Sequence, residues 1–129
     1  MSTNKTENLS LQSWDQDDPV LRSEFNENFA AIDAACGDIP KIAFGTYIGT
    51  GQNGSSNPNR LTFPFQPKLL FIRGCPGSAL GSAWYGEALH TASTCTTVWN
   101  GNTVVWYNTG GTNPQMNELS KLYLYLIIG

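Results

Sequence analysis

The last eight residues of the chain, Leu122 to Gly129, alternate regularly. Positions 122, 124, 126 and 128 carry Leu or Ile, and the positions between them carry Tyr or Ile, so both faces of an extended segment would be apolar. A strand that is apolar on both faces is typical of the middle of a sheet with covered faces. We therefore expect a central strand here, covered on both sides.

Two runs of β-branched and aromatic residues at 96–99 and 103–107 flank Asn100-Gly101-Asn102. Asn-Gly between such runs predicts a β-hairpin with a type I′ turn, in which both central residues have positive φ.

Shorter patterns predict strands over 41–48, 60–63, 68–73 and 82–90, separated by loops rich in Gly, Pro and Asn. In the first of them we expect Ile42, Phe44 and Ile48 to point inward. Six to eight short strands with such turns predict a mainly β protein, an antiparallel β-sandwich of the jelly-roll or lectin-like kind.

One segment, residues 19–36, has the pattern of an α-helix. Asp18 is a suitable N-cap, Pro19 a suitable first residue, and Gly37 a suitable stop. At 3.6 residues per turn the apolar positions form one narrow stripe, which we call the helix seam: Leu21, Phe25, Phe29 and Ile32, continued by Cys36. Either this helix packs on its own β-domain or its seam packs against the same helix in other subunits. The two Phe residues favour self-association. Asn28 at the edge of the seam could set its register and copy number, but a surface position for this Asn is the favoured interpretation.

The predicted organisation is an extended N-terminal arm over 1–18, the helix over 19–37 and a β-domain over 38–129. The arm is polar apart from Leu9, Leu11 and Trp14, and we expect Trp14 to anchor it; a flexible tail is the alternative.

Charge and cysteine content argue against several classes of function. Residues 1–38 carry a net charge of −6 and residues 39–129 one of +3, which together make the −3 of the whole chain. The basic residues of the β-domain are too scattered for a nucleic-acid-binding surface. No apolar run is long enough for membrane insertion, and no signal peptide is recognisable. The few cysteines, odd in number, fit a protein made in a reducing cytoplasm.

Three cysteines without a C-x-x-C pair and a single histidine, His90, predict no metal site and no cofactor. We expect Cys36, Cys75 and Cys95 to be buried free thiols. Residues 39–129 have two carboxylates, Glu87 and Glu118, on different segments and no Asp, which argues against glycoside hydrolysis and a Ser-His-Asp triad. A pairing of Cys95 with His90 matches no catalytic motif, and we predict that the protein is not an enzyme.

Aromatic residues beside Asn-rich turns are more consistent with a binding site than with a catalytic one. An aromatic ring with nearby amides suits a sugar, whose C–H face stacks while its hydroxyls form hydrogen bonds. The candidate glycan contacts are Trp84, Tyr85, Trp99, Asn100, Asn102 and Tyr107. We expect Trp99, next to the turn, to be the least buried of the aromatics. The alternative is that these aromatics lie in the core or in a subunit interface.

Four segments resemble the tail-fibre proteins of phages and prophages. The stretch from Asp17 to Ala35 is similar to their N-terminal helix, with Glu24 where Asp is common. The segments 45–51 and 61–72 and the ending 122–129 are similar to their β-domain, although Leu126 and Ile127 replace a small residue.

This resemblance implies a receptor-binding or fibre-tip β-sandwich that forms a homotrimer, with the helix in a three-fold bundle. It also implies a place in the virion, other tail or fibre proteins as partners, and a glycan or cell-wall polymer of the host surface as target. A stand-alone bacterial lectin-like carbohydrate-binding domain is the alternative.

Overall fold

The computed structural model describes residues 1–129, which form two compact units, Met1–Ile39 and Pro40–Gly129. The N-terminal unit contains a small antiparallel hairpin, β1 (Asn4–Lys5) and β2 (Gln12–Ser13), followed by helix α1 (Arg22–Gly37).

The hairpin is tied to α1 by buried polar contacts. The indole N–H of Trp14 donates to the carboxylate of Glu24 at 2.9 Å, and the backbone N–H of Ser2 donates to the same carboxylate at 2.9 Å. The side chain of Asn28 bonds both the N–H and the C=O of Gln12, at 2.6 and 2.9 Å, as a neighbouring strand would. Asn28 therefore holds the arm, which neither of its predicted roles anticipated.

The start of α1 differs from the prediction. The helix begins at Arg22, and Asp18 is not its N-cap. The Asp18 carboxylate instead accepts hydrogen bonds from the backbone N–H groups of Thr3 and Asp15, at 3.0 and 2.9 Å. Bonds of this kind, the one from Asp15 foremost, lower the pKa of Asp18.

The C-terminal unit contains seven strands and one helical turn. In chain order these are β3 (Ile42–Ile48), β4 (Asn59–Thr62), β5 (Leu69–Cys75), β6 (Leu80–Trp84), β7 (Thr96–Asn100), β8 (Thr103–Tyr107), α2 (Thr112–Gln115) and β9 (Leu122–Ile128). They form two antiparallel sheets, with strand orders β3-β9-β5-β6 and β4-β8-β7. The mainly β, antiparallel prediction is confirmed, as is the central position of the last strand. Helix α2 lies in a segment predicted to be a loop, and β6 ends at Trp84 instead of continuing to His90.

Both sheets contribute to one hydrophobic core. Leu70, Ile72 and Tyr123 of the four-stranded sheet and Val104 and Trp106 of the three-stranded sheet belong to it, and none of the five is exposed. The Tyr47 ring stacks on the Tyr123 ring, with centroids 5.0 Å apart. The core therefore lies against one face of each sheet.

The orientation of β3 is opposite to the prediction. Ile42, Phe44 and Ile48 are exposed, while Gly45 and Tyr47 alternate on the core side. A Cβ on Gly45 would lie 2.5 Å from the phenol oxygen of Tyr125, so glycine there makes room for that ring. The phenol of Tyr47 donates to the carbonyl of Met116 at 2.9 Å. The Tyr47 hydroxyl therefore has the hydrogen-bond acceptor that it needs on the core side of the sheet.

The hairpin is present, but its turn is shifted by one residue. Asn100 pairs with Thr103, so the loop consists of Gly101 and Asn102. Only Gly101 has positive φ, which matches a type II′ turn and not type I′. The side chain of Asn102 donates to the carbonyl of Phe63 at 2.7 Å, and this contact with a neighbouring segment accounts for the shifted turn.

Candidate binding surfaces

The outer face of the four-stranded sheet is apolar and uncovered. Phe44, Ile42 and Ile48 are 80%, 61% and 57% exposed. The register places Phe44 opposite Leu126, which is opposite Phe71 on its other side, so the apolar side chains form continuous rows across the sheet. We call this surface the apolar sheet face: Ile42, Phe44, Ile48, Leu69, Phe71, Leu80, Leu122, Leu124, Leu126 and Ile128, with Arg73 as its one charged residue.

The prediction that β9 is covered on both sides is therefore wrong for a single chain. Its core side is fully buried at Tyr123 and Ile127, but Leu124 on the other side is 41% exposed. With aromatic side chains of roughly 200 Å² and aliphatic ones slightly smaller, the exposed part of this face is about 700 Å². A typical monomer exposes at most about 300–600 Å² in one apolar patch, whereas one side of a stable interface covers about 800 Å².

Charge is nearly absent from this surface. Arg73, opposite both Leu80 and Leu124, is its single charged member. Between Phe44, Phe71 and Leu124 lies a shallow depression of about 370 Å³. A core of this kind, poor in charge, is typical of protein interfaces.

A cleft of about 530 Å³ lies at the β6 edge of the apolar sheet face. It brings together two of the predicted glycan contacts, Trp84 and Tyr85, with Ser82, Glu87 and His90. Trp84 is 63% exposed and presents its ring to solvent. His90 is brought here because its backbone pairs with that of Ser82, through bonds of 2.9 and 3.0 Å. An exposed indole beside a carboxylate, an imidazole and a hydroxyl can stack on a sugar ring and bond its hydroxyls.

Trp99 supports this cleft from behind. Its indole N–H donates to the carbonyl of Glu87 at 2.8 Å, and its ring centroid lies 5.1 Å from that of Tyr85. Trp99 is half-buried, so the expectation that it is the least buried aromatic is wrong, and Trp84 is far more exposed. A partly buried indole N–H needs an acceptor, and the turn at residues 85–87 supplies one.

The other predicted contacts lie elsewhere. Asn100 and Asn102 belong to the hairpin turn and do not line the cleft, and Asn102 is engaged with Phe63. Tyr107 is half-buried at the far end of β8, opposite Thr96. Sequence reasoning did not name Ser82, Glu87 or His90 individually as binding residues. The alternation within β6 does predict that Ser82 shares a face with Trp84, but nothing in the sequence signals the pairing that adds His90.

In the N-terminal unit the helix seam is also uncovered. Phe29, Phe25, Leu21 and Ile32 are 59%, 47%, 43% and 40% exposed. The one buried residue of α1 is Glu24, on the side that holds the arm. Burial would raise the pKa of Glu24, but the hydrogen bonds from Ser2 and Trp14 outweigh it and lower that pKa.

No known protein family, curated protein or solved structure matches this chain. None of its helices has both the length and the apolar character needed to cross a membrane.

The groups considered for catalysis are in surroundings that do not activate them. Burial raises the pKa of the Cys95 thiol, which opposes formation of a thiolate, and the thiol donates to the carbonyl of Pro114. Glu118 forms a salt bridge with Lys121 at 2.7 Å, which lowers its pKa, whereas the general acid of a glycoside hydrolase needs a raised one. No group of three or more His, Cys, Asp or Glu side chains is arranged to hold a metal. Cys36 and Cys75 are exposed, so the prediction of three buried thiols is correct only for Cys95.

Proposed function

We propose that this protein is a homotrimeric structural component of a phage or prophage tail fibre. In this proposal the two sheets pack as a β-sandwich at the distal tip, and the tip attaches the virion to the bacterial surface. It is not an enzyme. The apolar sheet face carries the proposal, because a surface of about 700 Å² with one charge is within the range of about 600–1,000 Å² that one side of a stable interface between subunits covers.

The helix seam supports the same conclusion independently. Phe25 and Phe29 contact each other edge-to-face, with centroids 5.1 Å apart, and Phe25 also packs against Trp14 at 6.0 Å, yet both Phe rings remain about half exposed. Burying their exposed surface in a helical bundle removes apolar area from water that the single chain leaves exposed. The resemblance of residues 17–35 and of the β segments to tail-fibre proteins supplies the rest: three copies, a place in the virion, and other fibre proteins as partners.

The solution mass tests the assembly. We expect light scattering on a size-exclusion column to give three times the chain mass for the full protein. A monomeric full chain at every concentration would overturn the proposal. A shortened chain of residues 40–129 that remains trimeric would assign the main interface to the β unit instead of the helix seam.

Attachment is proposed to use the cleft at Trp84. We expect the protein to bind intact host cells and a surface glycan, and we expect Trp84→Ala to weaken that binding at least about tenfold while the trimer persists. Val98→Ala is the matched control, since Val98 is 61% exposed on the other sheet. Equal binding by both variants would exclude the cleft as the attachment site.

A stand-alone lectin-like carbohydrate-binding domain is the second candidate, and the cleft is the observation that favours it. Reproducible glycan binding by a monomer, or by a trimer that assembles with no fibre protein, would support this candidate over the first.

A further inference from the structure

A second cavity, of about 430 Å³, lies at the opposite edge of the four-stranded sheet from the Trp84 cleft. It is lined by residues of β3 and β4, which are edge strands of the two sheets, and by the loop between them. The half-buried Tyr47 contributes aromatic surface to its lining, and the fully buried Trp106 supports the Tyr47 ring from the core, with ring centroids 6.2 Å apart. The volume is within the range of about 300–1,000 Å³ that small-molecule sites occupy.

The loop over residues 49–58 is held in place by two buried amide side chains, Gln115 and Asn117. Gln115 accepts from the N–H of Gly54 at 2.9 Å and donates to the carbonyl of Asn57 at 2.8 Å. Asn117 accepts from the N–H of Thr50 and donates to the carbonyl of Gln52, both at 2.9 Å. Burying amides is favourable only when their hydrogen bonds are made, as here. The wall of the cavity is therefore pre-formed, which lowers the cost of binding.

Several polar side chains of the lining are left free by this arrangement. The side chains of Gln52, Ser56 and Asn57 are exposed and form no hydrogen bond within the chain. Arg60 is also exposed and forms no salt bridge. The single ion pair of the protein joins Lys121 to Glu118. No carboxylate lines the cavity, so its one charged lining residue is a cation without a partner.

We propose that this cavity binds a sugar that carries a carboxylate, of the uronic acid class. The free amides and the hydroxyl match the hydroxyls of a sugar ring, and the aromatic and aliphatic lining matches its C–H face. The planar guanidinium of Arg60 presents paired N–H donors at the spacing of the two oxygens of a carboxylate. That this sugar belongs to a bacterial surface glycan depends on the proposed attachment function; the binding of the sugar itself does not.

The test is a titration of the full-length protein with D-glucuronate, D-glucose and glucose 6-phosphate, followed by ligand-observed NMR and by the backbone amide signals of residues 52, 57 and 60. A charge-assisted hydrogen bond is worth about 1.5–3 kcal/mol, so we expect glucuronate to bind at least about tenfold more tightly than glucose. Arg60→Gln is expected to reduce glucuronate affinity to that of glucose. Lys68→Gln, which removes the same charge from an exposed residue outside the cavity, should leave it unchanged.

Three results would overturn the proposal: no glucuronate binding, equal affinity in Arg60→Gln, or amide shifts confined to the Trp84 cleft. Tighter binding of the phosphate than of the carboxylate would overturn the assigned ligand class. The test of this site is independent of the test of assembly. A monomer that binds glucuronate would refute only the fibre proposal. A trimer that does not bind glucuronate would refute only this site.

Discussion

Replacing Phe44 by Lys separates the stability of the subunit from the stability of the assembly. Phe44 is 80% exposed on the apolar sheet face, within the edge strand β3. In a single chain its side chain makes few contacts that a substitution can remove. In the proposed trimer the same side chain is buried against another copy.

The expected loss in free energy of association is much larger than the expected loss in subunit stability, and experiment resolves the difference easily. The exposed four fifths of a Phe side chain amount to roughly 160 Å², so burial in the interface contributes about 4 kcal/mol per subunit at 25 cal/mol per Å². The buried fifth contributes only about 1 kcal/mol to the fold of the subunit. A loss of 4 kcal/mol weakens association by roughly a thousandfold, before the cost of burying the new ammonium group is added.

Sedimentation equilibrium across a dilution series measures the association, and urea unfolding of the dissociated protein measures the subunit. We expect Phe44→Lys to be monomeric where the wild-type protein is trimeric, with an unfolding midpoint close to that of the wild-type subunit. Val98→Lys, an equally polar change at a 61% exposed position of the other sheet, should remain trimeric. If Phe44→Lys keeps the wild-type mass at every dilution, the apolar sheet face is not the interface.

Three further predictions concern other parts of the chain. Trp84→Ala should lower glycan affinity at least about tenfold by loss of stacking, with an unchanged melting temperature because Trp84 is 63% exposed; unaltered glycan-array binding would contradict it. Gly49→Ala should destabilise the β unit by about 3 kcal/mol in urea unfolding, because its Cβ would lie 1.9 Å from the carbonyl oxygen of Glu118; a loss no larger than that of an exposed Gly→Ala change would show that this contact relaxes freely. The pKa of Glu24 is lowered in the fold, so its stabilisation is present above the unfolded pKa and is lost as pH falls through the folded one. Acidification through this lowered pKa should therefore release the arm, seen as loss of the hydrogen-bonded indole N–H signal of Trp14, and Glu24→Gln should make that signal insensitive to acid.

Strand β3 shows why hydrophobicity alone does not predict which face of a strand is buried. Ile42 and Phe44 are more apolar than their neighbours Ala43 and Gly45, and so were expected to point inward. The space on the core side at Gly45, however, is filled by the Tyr125 ring from the paired strand. Which face a strand buries depends on the volume that its neighbours leave free, and sequence periodicity does not contain that information.

The candidate cleft could be predicted only in part, because only some of its residues are neighbours in the sequence. Trp84 and Tyr85 are adjacent in sequence, and aromatic residues near turns are a recognisable local signal. His90 reaches the cleft only because the chain after β6 folds back to pair with Ser82. Tyr107 and Asn102 lie outside the cleft because they contact other segments: Tyr107 is opposite Thr96, and Asn102 bonds to Phe63.

By itself the sequence determined the local features: the positions of the strands, the central place of the C-terminal strand, and one amphipathic helix with a narrow apolar seam. These follow from side-chain periodicity and turn chemistry, which act over a few residues. Only the tertiary structure decided which of the two apolar faces of the four-stranded sheet is covered and which polar groups are left free for a ligand. Those outcomes depend on contacts such as that of Tyr47 with Met116, 69 residues away, because a buried hydroxyl must find its acceptor wherever the fold places one.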